Sequence, residues 1–475
     1  MRVALVNTNR IRPPIAPIGL DYVAEALQAA GHEPVVLDLC WAVDWPRAVE
    51  RRFADEHYGL IGISLRNTDD CAFTSRQSFL HEHAQMVEAI REHTDEPIIL
   101  GGVGFSTMPE QVLEICAADA GVWGEGEFAF PALANALAAR RDWRDVPGLV
   151  WRDGDGPRRN APSFGDLASL PSMSRSFLEN RRYFAEGGQA GFETKRGCSG
   201  RCSYCADPVA KGRQVRMRPP AAVADELAAL LAQGIDHLHT CDSEFNLPAE
   251  HAAAVCEEII RRGLGERLRW YAYCAPAPFS RELAGLMRRA GCAGINFGTD
   301  SGDAGMLRRL RRGFGPEDIA DAAQWCREAG ITTMFDLLLG APGETEASIT
   351  RTLELMQRVA ADRVGVSLGL RIYPGTEVAA QAARGELAEG LTEGDGLFAP
   401  RFFLEPRIAE KAAALIDRLT AGDPRFLFFD PSRPRSNYNY NANARLVEAI
   451  SQGYRGAYWD ILRRYEGGAT SGSVT

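Results

Sequence analysis

Lysine is almost missing from this chain. Of its 53 basic residues only Lys195, Lys211 and Lys411 are lysines, and 63 acidic residues bring the net charge to −10. No basic stripe is present, and that absence argues against a nucleic-acid partner. Long apolar runs are lacking as well. No stretch approaches the length needed to cross a bilayer, and the mean hydropathy is −0.20. The opening MRVALVNTNR leads straight into a strand pattern, without the basic-then-apolar profile of a signal peptide. A cytoplasmic, reducing location is therefore expected, in which the 11 cysteines stay free or bind metal. What is present is ordinary globular material: 475 residues, 45% hydrophobic, enough for two or three domains with large cores.

Short apolar runs at Val3–Val6, Val35–Leu39, Leu60–Leu65, Ile98–Leu100 and Ala120–Trp123 alternate with helical periodicity. This predicts an α/β domain over 1–145, a doubly wound parallel sheet of the flavodoxin or Rossmann kind with its ligand crevice at the strand carboxyl ends. Residues 146–188, rich in Pro, Gly and charge, read as a linker with a small hairpin. A second alternating series has strands near Gly191–Lys195, His237–Cys241, Arg269–Cys274, Gly294–Thr299, Thr333–Leu339 and Val364–Arg371. It predicts a partial or full (β/α)6 barrel over 189–390. The aromatic-rich remainder, 391–475, reads as a mostly helical region over the substrate, with GGATSGSVT frayed at its end.

The segment KRGCSGRCSYCADP places Cys198, Cys202 and Cys205 as C-x3-C-x2-C directly after the first barrel strand. Three thiolates on one loop suit three corners of an iron–sulfur cubane and leave the fourth iron open. A structural zinc site would want a fourth ligand, and none lies at a suitable spacing. With Tyr204 before the last cysteine, the motif resembles the radical S-adenosylmethionine superfamily. The resemblance implies a [4Fe-4S] cluster whose open iron chelates S-adenosylmethionine, cleaved by one electron to a 5′-deoxyadenosyl radical. It also implies an electron donor such as flavodoxin or ferredoxin.

Later segments extend the likeness. CDSEFN is similar to the family's element that meets the methionine amino group, which nominates Asp242, Ser243 and Glu244. INFGTDSGD followed by LRRLRRG resembles the fourth-strand region, with Asp300 and Ser301 toward ribose hydroxyls. LLLGAPGET and RIYPGTEVA look like the fifth and sixth strand ends, which place Gly340 and Arg371 at the site. A carboxylate suits an ammonium and an arginine suits a carboxylate, so the assignments are chemically consistent.

The first domain, through APIGLDYVAEALQAAGHEPVVLDL, LIGISLRN, IILGGVGFS and GEGEFAF, resembles the cobalamin-binding domain that precedes many radical S-adenosylmethionine proteins. Implied contacts are Thr8, Asn9, Pro17, Gly19 and Leu20 after the first strand, and Ser64, Leu65, Arg66 and Asn67 after the third. Gly101, Gly102 and Gly104, then Gly124, Glu125 and Gly126, complete the set, because glycine lets backbone approach a corrin or its nucleotide tail. The D-x-H-x-x-G motif is absent. The histidines at 32, 57, 81, 83 and 93 read as lying at the far sheet edge or on helices. Cobalamin, as methylcobalamin or hydroxocobalamin, is thus expected to bind without a protein histidine, with Arg66 at the lower cobalt face. The alternative for Arg66 is an ion pair with Asp69 or Asp70.

Together the two domains resemble class B radical S-adenosylmethionine methyltransferases. That implies methylation of an unactivated carbon of a small-molecule or peptide substrate. Rearrangement, ring contraction or cyclisation with the same cofactors is the alternative. Methylthio transfer to tRNA is a remote one, since it needs a second cluster and only Cys71, of Cys40, Cys71 and Cys116, falls near a crevice. Tyr273 or Cys274 is a candidate catalytic residue. Cys241 and Cys274, at strand ends, could face the barrel interior or simply pack as small apolar groups. Tyr438, Tyr440, Tyr454, Tyr458 and Trp459 could cap the barrel.

Overall fold

The computed structural model describes residues 1–162 and 164–471. In the first sheet β1 (Arg2–Asn7), β2 (Glu33–Asp38), β3 (Leu60–Ser64), β4 (Ile98–Gly101) and β5 (Ala120–Val122) run parallel in the order β2-β1-β3-β4-β5. Alternate side chains enter two separate cores. Ala4, Val6, Ile61, Ile63, Ile98 and Leu100 go to one face, and Val3, Leu5, Leu60 and Ile99 to the other. Burial on both faces is why these strands read as unbroken apolar runs. The chain leaves β1 in opposite directions toward β2 and β3, so the crevice opens there, above the carboxyl ends.

The hairpin expected in the linker forms, but it does not stand free. β6 (Leu149–Asp153) and β7 (Gly156–Arg159) add antiparallel strands to the β5 edge. Leu149 and Val150 are fully buried there, which explains the pairing: the edge gains a cover and the hairpin gains a core. The first sheet therefore runs past residue 145.

The second sheet contains β8 (Ala190–Phe192), followed by a small separate hairpin of β9 (Lys195–Arg196) and β10 (Arg216–Met217). It continues with β11 (His237–Thr240), β12 (Arg269–Cys274), β13 (Cys292–Asp300), β14 (Thr332–Leu339) and β15 (Arg363–Leu368). Next comes a two-stranded piece, β16 (Leu370–Arg371) with β17 (Phe402–Phe403), and then β18 (Phe426–Phe428). The order is β8-β11-β12-β13-β14-β15-β18, all parallel, and the two end strands do not pair, so the barrel is partial. β18 lies in the region expected to be helical. Its Phe-Leu-Phe run finds a vacant parallel edge beside β15, and tertiary pairing decides its conformation.

Strand alternation then divides the barrel. Trp270, Ala272, Cys274, Ile295 and Phe297 point outward under a layer of helices that includes Arg281–Arg289 and Glu346–Arg358, capped by Ser280 and Thr345. Tyr271 and Met334 point inward near the strand amino ends, where Leu446, Ile450 and Trp459 of the C-terminal helices Ala444–Ser451 and Tyr458–Ser471 pack on them. The interior is thus plugged at that end and open farther along the strands. The last helix takes in the start of GGATSGSVT; residues 472–475 lie outside the described residues.

A buried ion network ties the two sheets together. Arg175 donates to Asp21 (2.8 Å) and Glu226 (2.7 Å), Arg218 donates to Glu226 (2.5 Å), and Tyr22 donates its hydroxyl to Glu226 (2.8 Å). All five side chains are buried.

Candidate active site between the two sheets

A cavity of about 740 Å³ lies where the carboxyl ends of both sheets face each other. Arg66, Asn67, Thr68 and Gly104 border it from the first domain, and Tyr204, Cys205 and Asp207 from the cysteine loop. The barrel strands supply His239, Cys241, Tyr273, Asn296 and Asp336, and the tail supplies Tyr438, Tyr440, Tyr458 and Trp459. Tyr454 packs instead on Tyr465, with ring centroids 5.6 Å apart.

The cysteine loop turns tightly around Gly200, where a Cβ would lie 3.2 Å from Cys198 Sγ and 3.8 Å from Cys202 Sγ. These two sulfurs therefore converge on one side of the loop. Among the described residues no three His, Cys, Asp or Glu side chains are arranged to hold a single metal ion. Ligands of three cubane corners stand farther apart than ligands of one ion, so the donor set suits a cluster better than zinc. Burial pushes all three thiols up, with Arg312 opposing it at Cys202.

Arg312, the last arginine of LRRLRRG, organises this corner although no motif singled it out. Its Nη1 donates to Cys202 Sγ (3.0 Å), and its guanidinium lies 3.3 Å from Asp300 and 3.5 Å from Glu244. Asp300 also accepts from the Tyr204 hydroxyl (2.6 Å), which gives the aromatic before the last cysteine a structural reason. Glu244 keeps one buried carboxylate oxygen without a partner. Burial pushes this acid up to about 7 against the pull of Arg312. An orphaned buried carboxylate beside a cluster loop is a ready acceptor for an ammonium group.

Other expected S-adenosylmethionine contacts are placed differently. Asp242 is consumed by Thr194 and Lys195, whose Nζ lies 3.1 Å away, and Ser243 donates to Asp207 (2.5 Å). Ser301 is fully buried beside Thr352 (3.0 Å) and does not border the cavity. Gly340 has φ +91°, and a Cβ there would meet Leu404 at 2.4 Å, so it serves a turn. Arg371 borders the cavity, but its donors go to Asp69 (2.8 Å) and to the carbonyls of Ile372, Arg401 and Gly396. It ties the loop after β3 to the barrel. Cys274 faces the outer core, while Tyr273 and Cys241 face the cavity, as alternation along each strand requires.

In the first domain a smaller slot of about 150 Å³ lies over the carboxyl ends. It is bordered by Gly19, Leu20, Ser64, Gly101, Gly102, Gly124, Glu125 and Gly126 of the expected set, together with Gly62, Ser106 and Val122, which the motif reading missed. A Cβ at Gly19 or Gly101 would meet nothing within 4 Å, so a side chain there would project into open space. Gly102 is different. At φ +91°, a Cβ would lie 2.4 Å from Leu65 O, so this glycine serves close backbone packing. Glu125 is held by Arg216 and by the Gly165 N–H (3.0 Å). Thr8 donates to Ser64 O (2.9 Å), Asn9 leaves a buried amide nitrogen without a partner, and neither Pro17 nor Leu65 borders either cavity. A glycine-rimmed slot, mainly apolar but edged by Glu125, Glu127, Glu193, Arg196 and Lys211, lies beside a large cavity and fits a flat cofactor with a polar tail.

Arg66 donates to the Tyr440 hydroxyl (3.1 Å), its guanidinium 5.1 Å from that ring. The alternative ion pairs are not made: Asp69 is taken by Arg371, and Asp70 accepts from Ser75 and the backbone of Ala72 and Gln77. The first domain's described cavity wall contains no histidine. The barrel brings His239 instead. Its Nδ1 donates to Thr240 O (2.8 Å) and burial lowers it to about 4, so the ring is neutral with Nε2 an acceptor. Of Cys40, Cys71 and Cys116 only Cys71 borders the cavity; the other two are buried elsewhere, so they make no second cluster site.

Comparison with known proteins agrees with this layout. The family model for the radical SAM superfamily matches residues 192–356, and that for the B12 binding domain matches residues 5–134. The chain is 36% identical to tryptophan 2-C-methyltransferase of Streptomyces laurentii, covering 78% of this chain and 73% of that protein. Among solved structures it is similar to the radical S-adenosylmethionine methyltransferase TsrM from Kitasatospora setae with tryptophan and an S-adenosylmethionine analogue bound. The TM-score is 0.89 and the identity 31%, over 99% of each chain. The same enzyme with cobalamin and a [4Fe-4S] cluster matches at 30% identity over both chains entirely. The cobalamin-dependent radical enzyme OxsB shares the fold, with TM-score 0.72 and 18% identity over 85% of this chain and 64% of that one. Among the described residues no helix is long and apolar enough to cross a membrane.

Proposed function

The chain belongs to the cobalamin-dependent radical S-adenosylmethionine methyltransferases, and we propose that its substrate is tryptophan or a closely related indole amino acid, methylated on a ring carbon. The activity is C-methylation with a [4Fe-4S] cluster, S-adenosylmethionine and cobalamin. When bound, these groups supply the methyl donor and the metal centres through which it reaches carbon. The chain's own residues do the positioning.

One observation carries the reading: a single cavity has the cysteine loop on one side, Arg66 on another and aromatic rings between. Cys198, Cys202 and Cys205 would hold the cluster, with Arg312 setting the charge beside it. Glu244 would accept the ammonium of S-adenosylmethionine. The glycine slot would take the cobalamin tail. A guanidinium has no lone pair to give a metal, so Arg66 would border the cobalamin without supplying the cobalt a protein nitrogen. Tyr273, Tyr438, Tyr440 and Tyr458 would sandwich a flat ring and exclude water. Support for the indole comes from the relatives' named substrate, tryptophan.

The cluster would be reduced by a small acidic electron carrier such as flavodoxin or ferredoxin. Supporting this, Cys202 and Cys205 also border an outer groove flanked by Arg201, Arg213 and Arg311 on an otherwise acidic protein. A cluster held by the thiolates of Cys198, Cys202 and Cys205 suits a reducing, cytoplasmic setting.

The test is anaerobic turnover of the reconstituted enzyme with S-adenosylmethionine, cobalamin, reductant and tryptophan, read by mass spectrometry. One added methyl on the indole ring is expected. Methyl transfer to another compound, with tryptophan untouched, would overturn the substrate assignment. 5′-Deoxyadenosine measured in the same run decides whether a radical precedes methylation.

A further inference from the structure

Three carboxylates border the central cavity, and two of them are neutralised. Asp207 has Lys211 at 3.1 Å, and Asp300 has Arg312 at 3.3 Å. Asp336, on the inner face of β14, has no cation within ion-pair distance among the described residues. Its contacts are both neutral. Asn296 Nδ2 donates to Oδ2 (2.6 Å) and the Tyr438 hydroxyl donates to Oδ1 (3.0 Å).

This arrangement is built in. A Cβ at Gly365 on the adjoining strand would lie 2.1 Å from Asp336 Oδ1 and 2.7 Å from the Tyr438 hydroxyl, so glycine there makes room for the bond. Asn296 is 4% exposed, and its Oδ1 is buried with no partner, because the amide is turned to give its N–H to Asp336. The cavity wall therefore holds a carboxylate without a counter-cation on β14, beside an amide on β13 whose oxygen is buried and unpartnered. Burying the amide oxygen without a donor, or the carboxylate without a cation, costs free energy, and the charged group costs more. Burial pushes Asp336 up to about 6 despite its two hydrogen bonds, the direction expected of a carboxylate that lacks a cation.

We propose that Asp336, with Asn296 beside it, binds the α-ammonium group of the amino-acid substrate and so selects an amino acid over its deaminated analogue. The proposal rests on the indole amino-acid reading above. An ammonium supplies both the missing charge and several donors, whereas an indole N–H is neutral and would leave the carboxylate uncompensated. A neutral acceptor suited to a ring N–H exists elsewhere on the wall, at His239 Nε2.

The test compares binding and turnover of tryptophan, tryptamine and indole-3-propanoate by wild type, Asp336→Asn and Tyr438→Phe. Iron and cobalamin content of each variant checks that it is folded. Asp336→Asn is expected to raise KM for tryptophan and Kd for tryptamine on the order of 10- to 100-fold. Its Kd for indole-3-propanoate should stay the same or fall. Tyr438→Phe retains the carboxylate and should retain the preference for the two amines. Equal weakening of all three ligands in Asp336→Asn would assign it a merely structural role and overturn the proposal. So would wild type that binds all three ligands equally. Wild type that binds neither tryptophan nor tryptamine would instead overturn the indole reading, and the anchor with it.

Discussion

Glu226→Gln should cost this protein several kcal/mol and loosen one domain from the other. Glu226 is 1% exposed and receives hydrogen bonds from Arg175, Arg218 and Tyr22, which come from three separate parts of the chain. Glutamine has nearly the same shape but no charge, so it leaves Arg175 with Asp21 as its remaining ion pair and Arg218 with only the more distant charge of Glu193. Breaking a buried ion pair from one side costs about 3–5 kcal/mol, because the remaining charge stays desolvated. Burial alone would raise the Glu226 pKa, but Arg218 and Arg175 outweigh it and hold the acid below its usual value. Its stabilisation is therefore complete above the unfolded pKa, about 4.3, and is lost as pH falls through the lower folded value. The gap between wild type and Glu226→Gln should be widest near neutral pH and narrow below about pH 4. Urea titration monitored by limited proteolysis at the domain junction reads both the loss and its pH trend. A variant within about 1 kcal/mol of wild type at pH 7, or a gap that grows in acid, would refute this account of the network.

The cluster loop, the cobalt face and the Glu244 acceptor give further expectations. Cys205→Ala should reduce reconstituted iron from about four per chain to near zero while leaving cobalamin binding intact; unchanged iron would remove Cys205 from the ligand set. Electron paramagnetic resonance of the cobalt(II) form should show no protein-nitrogen splitting in wild type, whereas Arg66→His should introduce it; splitting already present in wild type would contradict the role given to Arg66. Glu244→Gln should weaken S-adenosylmethionine binding by about tenfold, the scale of one charge-assisted hydrogen bond. Unaltered affinity in calorimetry would leave that buried carboxylate without its assigned ligand.

The fold was largely legible because most of the parallel strands bury one or both faces and show as short apolar runs, as at Ile98–Gly101 and around Asp336 in Thr332–Leu339. β18 and the β6–β7 hairpin were harder. Their conformation comes from a vacant sheet edge, which is a tertiary fact with no local signature. At the site, the contiguous motif C-x3-C-x2-C was readable because ligands of one cluster share a loop. Arg312, Asn296 and Asp336 were not: Asn296 and Asp336 sit at inward-facing strand positions and Arg312 in the loop after the helix Ala304–Arg309, and polar residues at either place look solvated until the barrel closes around them. Arg371 and Asp242 are also paired internally, with Asp69 and Lys195, which their motifs do not show.

The central claim is that both sheets act together in moving a methyl group to carbon. Anaerobic turnover with S-adenosylmethionine labelled with carbon-13 in its methyl group tests this most directly, run complete, without cobalamin, and with Cys198→Ala. The label should appear on a substrate carbon with S-adenosylhomocysteine formed in step, and should vanish in both depleted reactions. A rearranged or cyclised product without label, or labelled product formed without cobalamin, would contradict it.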